Sequence, residues 1–494
     1  MSGRAPAAVK REAPRRSSTR RDAFLRRENG WETFNDVVFV GLLLSLAWVP
    51  FRFGSNHLIA WGINAALFGL LLLTFELGLL IAGKRHPVAP LRLWWAIALF
   101  ASFVGWILFQ MSPWAPAVWE NAFWQMTRDV IAGIPDMAPV EGRISVTPDQ
   151  GFQSLIRLLT SAAAFWLALQ LCRDRVRADM FALALVGVAV AYALYGVLQL
   201  IFFPTVLLWV QKSAYQDVVT STFINRNSYA TYAGIGLLAA VGLLLDAYRH
   251  SGVSSKAPIA HRLTAIVETT SRRGLPLIVA IAMIAIALVW TASRAGIVAS
   301  LGGILTLLLL SVLLSRSRAL MAFVGAGALM AMIGALMFYG ESFTDRIGGD
   351  GGGNLRFPVA QRTFEAALDV PWTGFGYGSF DRMFAVYRNT DAFVWLHWDK
   401  AHNTYAELLF ELGFPATIGL VVLVLALLVA LVINLLGRES RPMISLVALA
   451  ASVLVFSHAM VDFSLQIQAV ALTYWALLGA GFGQSWSRRI DTSF

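Results

Sequence analysis

The stretch His402-Asn403-Thr404-Tyr405-Ala406-Glu407-Leu408-Leu409-Phe410-Glu411-Leu412-Gly413 joins a long polar segment to one of the longest apolar runs in the chain. An imidazole, an amide and two carboxylates therefore stand where a loop enters an apolar helix. Ionisable groups at that boundary are costly, so they usually serve a pathway or a site. An imidazole with an ordinary pKa of about 6.5 can take a proton from a hydroxyl near neutral pH. A lone histidine there can also be a plain polar anchor. Asp399 and Lys400 precede it, and no His, Asp and Glu set has metal-ligand spacing, so no metal is expected.

A second group of residues could hold an anion. Most of the 39 Lys and Arg residues fall in the tail and in alternate loops, as a positive-inside pattern requires. The basic residues left over are Arg52, Arg128, Arg143, Arg157, Lys212, Arg226, Arg294, Arg346, Arg356, Arg362, Arg382, Arg388 and Lys400. All lie in the opposite loops or the adjoining halves of apolar runs, where topology does not explain them. An Arg fork matches phosphate oxygens, and a cluster of forks at one interface suits a lipid-linked phosphate or diphosphate. Snorkelling to headgroups is the alternative, above all for Arg52; for Arg157, deep in an apolar run, both readings stand.

Two arginines sit in distinctive surroundings. In Thr222-Phe223-Ile224-Asn225-Arg226-Asn227-Ser228, two amides flank Arg226 at a helix start, with Asn227 or Ser228 as the expected cap. Thr291-Ala292-Ser293-Arg294-Ala295-Gly296 repeats the design in a tight turn. His458 and Asp462 are four apart, so a helix would put them on one face. That pair could orient a catalytic imidazole or satisfy two polar groups in a packed bundle. Gly374-Phe375-Gly376-Tyr377-Gly378 has the look of a nucleotide loop, but its place among the outer segments favours a turn that brings a cap down to the membrane.

The elements that must position these groups are helical. The chain is 57% hydrophobic and 14% charged, too apolar for a soluble surface. Windows of roughly 20 apolar residues mark membrane spans. Twelve are expected, over 36–53, 57–82, 93–112, 151–171, 179–202, 228–247, 275–292, 295–314, 319–339, 403–436, 442–462 and 465–485. The 403–436 run exceeds one span and should tilt or project beyond the bilayer. The charge bias puts the basic tail 1–35 and the end 486–494 inside, and 113–150, 203–227 and 340–402 outside. The last is the largest, a cap between the ninth and tenth spans, with a flexible Gly348–Gly353 run. The basic tail is an orientation signal that could also touch anionic lipid, and needs no nucleic acid. Cys172, the only cysteine, excludes an internal disulfide and is expected to be packing. The first 35 residues hold no apolar core of a cleavable signal peptide.

Over roughly residues 150–480 the chain resembles the O-antigen ligase and polymerase superfamily of bacterial envelope glycosyltransferases. The likeness rests on Phe223-Ile224-Asn225-Arg226-Asn227, the Ser293-Arg294-Ala295-Gly296 turn, the Pro371…Gly374…Gly376 segment, and His402-Asn403 separated by nine residues from Gly413. Twelve spans with a large loop between the ninth and tenth match as well. The resemblance implies an inner-membrane enzyme acting on the periplasmic face, with both termini cytoplasmic and no cofactor. Its donor would be an oligo- or polysaccharide on a polyprenyl diphosphate, and its acceptor a hydroxyl of lipid A core or of another glycan. Arg226, Arg294 and Arg157 would bind the diphosphate, and His402 would be the general base. Asn225, Asn227, Asn403, His458 and Asp462 would support them. A secondary transporter or lipid-carrier flippase is the alternative class. It would place charges or broken helices near the midplane and in the inner half, whereas here they gather at one face.

Overall fold

The computed structural model describes residues 30–136, 140–249, 264, 268–313, 356–388, 397–438 and 442–486. They form an almost wholly helical bundle, and the exception is one hairpin pairing Val206–Leu207 with Val210–Gln211. The helices are α1 (Gly30–Trp48), α2 (Leu58–Ile81), α3 (Trp94–Met111), α4 (Ala122–Ile131), α5 (Pro148–Leu171), α6 (Arg175–Phe202), α7 (Arg226–Arg249), α8 (Leu275–Trp290) and α9 (Arg294–Leu313). They continue with α10 (Arg356–Ala367), α11 (Thr404–Leu436), α12 (Met443–His458) and α13 (Gln468–Ser485). Among the described residues, seven helical segments are long and apolar enough to cross a membrane: α2, α3 with the turn before it, α5, α6, α7, α9 and α11. The helices α8 and α12 are apolar but shorter.

Every expected stretch within the described residues coincides with one of these helices, and the ninth, 319–339, lies outside them, as do the Gly348–Gly353 run and most of the tail. Boundaries move for local reasons. In α1, Glu32 and Asp36 precede the apolar run and pair with Arg177 at the start of α6 (2.5 and 2.8 Å). The helix α6 starts at Arg175 because Asp174 caps it, accepting from the Arg177 amide at 3.0 Å.

α7 is the axle of the bundle, packed against α6, α8, α9 and α12, and is buried throughout Asn227–Ala240. α13 lies along α5, where Gly479 and Gly483 face the α5 backbone. A side chain at Gly483 would stand 2.6 Å from the Leu169 carbonyl, so glycine is what permits the contact.

The long run over 403–436 is one helix with a break, rather than a single tilted rod. Gly413 has φ +74°, ψ 170°, and Pro415 follows within the next turn. The carbonyls released by the break are taken up from outside the helix. The Phe375 amide donates to the Phe410 carbonyl and the Gly376 amide to that of Glu411, both at 2.9 Å. Gln110 Nε2 also reaches the Glu411 carbonyl (3.0 Å), and Trp106 Nε1 that of Leu412 (3.2 Å). The glycine-rich segment 374–378 therefore serves α11 as a docking strap, as a turn should, and not as a nucleotide loop.

Candidate active site

α7, α9 and α11 all begin at the same end of the bundle, and the predicted chemistry collects there. Asn403 caps α11, its Oδ1 accepting from the Tyr405 and Ala406 amides at 3.0 Å each. Thr404 ties that cap to the turn after α12 by donating its amide to the Ala459 carbonyl (2.9 Å) and its hydroxyl to the Asp462 carbonyl (3.2 Å). His402 precedes the cap in the left-handed region, at φ +54°. Its ring lies edge-on to Phe463 (5.0 Å) and Trp398 (5.6 Å). Nδ1 is buried without a partner among the described residues. Burial and the neighbouring Arg356 cation lower the His402 pKa to about 4, against the opposing pull of Asp462 and Asp399. The ring is therefore neutral at ordinary pH.

Asp462 is the hub beside it. Its carboxylate is fully buried. Oδ2 accepts from Asn227 Nδ2 at 2.8 Å and lies 3.8 Å from Arg356 Nη1, and Oδ1 accepts from Ser464 Oγ at 2.6 Å. Asn227 in turn accepts from Ser293 Oγ at 2.8 Å through Oδ1. One amide thus joins the start of α7 to the start of α9 and to the turn after α12. The expected cap of α7 is corrected accordingly. Asn225 Oδ1 accepts from the Asn227 amide at 2.7 Å, which leaves the Asn227 side chain to bridge. In the second motif Ser293 Oγ accepts from the Gly296 amide at 3.3 Å.

His458 and Asp462 do not form a direct pair. The helix α12 ends at His458, so Asp462 lies in the following turn and not one helical turn further on the same face. Ser464 Oγ stands between them, 2.6 Å from Asp462 Oδ1 and 3.5 Å from His458 Nδ1. His458 Nδ1 bonds Thr231 Oγ1 on α7 at 2.6 Å, and its Nε2 is buried without a partner among the described residues. That geometry fits a bundle strut better than an oriented catalytic imidazole.

The three arginines fall into two groups. Arg226 and Arg294 open α7 and α9 on either side of the Ser293–Asn227 bond, both half-buried. The Arg226 guanidinium stands 5.4 Å from the Tyr215 ring. Arg157 is elsewhere, on α5, stacked 4.3 Å over Trp61 and donating to the Gln466 carbonyl. It lines a cavity of about 280 Å³ between α5, α11, α12 and α13, which shares Thr404 with the His402 side. Glu407 and Glu411 also reach that cavity, but their carboxylates serve the loops. Glu407 accepts from the Ala401 amide (2.9 Å) and pairs with Lys400 (3.3 Å), and Glu411 accepts from the Phe380 amide (3.1 Å).

Arg356 and Ser464 are the functional candidates that sequence reasoning passed over. Arg356 stood among the unexplained outer arginines, with nothing in its neighbourhood along the chain to point to Asp462. Ser464 carries no sequence signal at all.

Residues 278–421 match the family model described as O-antigen ligase. The matched segment carries Arg294, Arg356 and His402 from α9 to the first half of α11, and leaves Arg157, Arg226, His458 and Asp462 outside. The match supports a relation of the chain to the O-antigen ligase and polymerase superfamily. No curated protein matches the chain. With the apolar helices, the family supports a multi-pass membrane protein of the bacterial envelope and a glycan transferase.

Proposed function

We propose that the protein transfers a glycan from a polyprenyl diphosphate carrier to an acceptor hydroxyl of lipid A core or of a growing glycan, at the periplasmic face of the inner membrane. The observation that carries this reading is His402 itself. In the family-matched segment, the His402 imidazole, its pKa lowered by burial and by Arg356, stands near Asp462 beside the arginine-led starts of α7 and α9.

In this scheme Arg226, Arg294 and Arg356 grip the diphosphate, helped by the amides at the starts of α7 and α9. His402 takes the acceptor proton as the hydroxyl oxygen attacks the anomeric carbon. The bond from that carbon to the diphosphate oxygen breaks, its electrons leave with the diphosphate, and the centre inverts. Diphosphate is already a good leaving group, so positioning and charge stabilisation suffice. Asp462 holds Asn227, Ser464 and Arg356 around the base, and Asn403 fixes the helix start beneath it.

The proposed topology has twelve spans, with both termini cytoplasmic and the cap outside. At the opposite end, Arg177 is closed off by Glu32 and Asp36, which leaves it unsuited to a transported ion. The test is reconstitution. Purified protein given a polyprenyl-diphosphate glycan should release polyprenyl diphosphate and form product on a lipid-anchored sugar or on a second glycan. Release of carrier without either product, or movement of the intact donor across the bilayer, would refute it.

A further inference from the structure

The cavity around Arg157 is not needed for the chemistry just described, yet it is built. Its floor and flank are apolar: Leu420, Val421, Val424 and Leu425 of α11 face Phe456 and Trp475. Leu425 is 54% exposed, so the cavity opens sideways onto the outer flank of α11, where a bilayer would lie. The other end is polar and closed by Arg157, Lys400, Glu407 and Glu411. Two polar atoms there lack partners among the described residues. Gln468 is 2% exposed and lines the cavity; its Oε1 accepts from Asn64 at 2.7 Å while its Nε2 has no partner. Arg157 Nε is buried and likewise unsatisfied. Buried donors left unpaired are costly, and a ligand oxygen would relieve them. A volume of about 280 Å³ lies just below the range of ligand pockets, roughly 300–1,000 Å³, and so suits one chain segment and a head rather than a whole lipid.

We propose that this cavity seats the lipid anchor of the acceptor: one alkyl chain along Leu420–Leu425, with an ester or phosphate oxygen at Arg157 and Gln468. This rests on the transferase reading above. It assigns Arg157 to the acceptor and leaves the diphosphate to the arginines at the starts of α7 and α9. Thr404 is the shared wall, lining the cavity while its hydroxyl donates to the Asp462 carbonyl, so an acceptor sugar emerging from the cavity would arrive at the His402 side.

The experiment is photocrosslinking in nanodiscs with two probes: a phosphorylated glycolipid carrying a diazirine on a saturated acyl chain, and a polyprenyl diphosphate carrying one on its isoprenoid chain. The acyl probe should label residues 420–425, and the polyprenyl probe should not. Val424→Trp, which fills the cavity, and Gln468→Leu, which removes the polar partner, should each cut acyl labelling about tenfold or more while polyprenyl diphosphate binding stays as in wild type. Either variant suffices if the other does not fold. Labelling of 420–425 by the polyprenyl probe would make the cavity a donor site and overturn the proposal. So would absence of acyl labelling, labelling undiminished in both variants, or equal competition by ordinary glycerophospholipid, which would mark a bulk-lipid site. Labelling needs no turnover, so a failure of transfer with labelling intact would count against the catalytic reading alone.

Discussion

Acid protonates His402, and the pH at which transfer falls distinguishes a buried base from an exposed one. The neutral ring is the working form, so the rate should hold above the pKa and fall as pH drops through it. An exposed imidazole, with a pKa of about 6.5, is only about a tenth neutral at pH of about 5.5. With the pKa lowered to about 4 by burial and by Arg356, His402 is almost wholly neutral at that pH. The two cases differ about tenfold in rate there. The assay is kcat/KM for glycan transfer by purified protein in nanodiscs, with donor varied at saturating acceptor, from neutral pH down to the limit of stability. An acid limb near pH 4 is expected. Arg356→Gln removes the cation that depresses the pKa, so its limb should move to higher pH whatever happens to the plateau. A wild-type limb between about 6 and 7, or a limb that stays put in Arg356→Gln, would refute the pocket described for His402.

The forks at the helix starts are tested by Arg294→Lys, which keeps the charge and loses the bidentate geometry; transfer should fall by most of its value in protein of normal yield, and wild-type rates would reduce Arg294 to a headgroup anchor. Gly413→Ala puts a Cβ about 2.8 Å from the Trp372 carbonyl at φ +74°, so it should lower thermal stability by several degrees, whereas Gly419→Ala, with open space around it, should not. For topology, in a Cys172→Ala background, the exposed Ala385→Cys should react with an impermeant thiol reagent from the periplasmic side and Lys84→Cys should not; the reverse pattern would invert the proposed orientation.

Much of this arrangement could be read from residue order. Apolar run lengths located the helices because a bilayer-length helix is a local property, and Asn403, Asp174 and Ser293 act as caps through short-range bonds to their own helices. Bonds across the chain were not legible. Asn227 looked like a cap, but Asn225 fills that role and frees it to reach Asp462, 235 residues away. The i, i+4 spacing of His458 and Asp462 implied a shared helix face, yet α12 stops at His458 and a serine comes between. The break at Gly413-Phe414-Pro415 was written in the sequence. It was masked by the apolar run around it, and its stability depends on donors from Gln110, Trp106 and the 374–376 strap. Arg157 resembled the other outer arginines in position along the chain, and only packing sets it in a cavity apart from them.

The central claim is that His402 takes a proton and does not merely anchor the start of α11. The most direct measurement is transfer by His402→Ala in nanodiscs, with polyprenyl diphosphate binding followed in the same preparation. A general base contributes about 10²–10⁴-fold. The variant should purify normally and bind donor as wild type does, because the arginines hold it, while transfer falls at least about a hundredfold. Transfer above about a tenth of the wild-type rate, with donor bound, would contradict the claim and leave His402 an interfacial anchor.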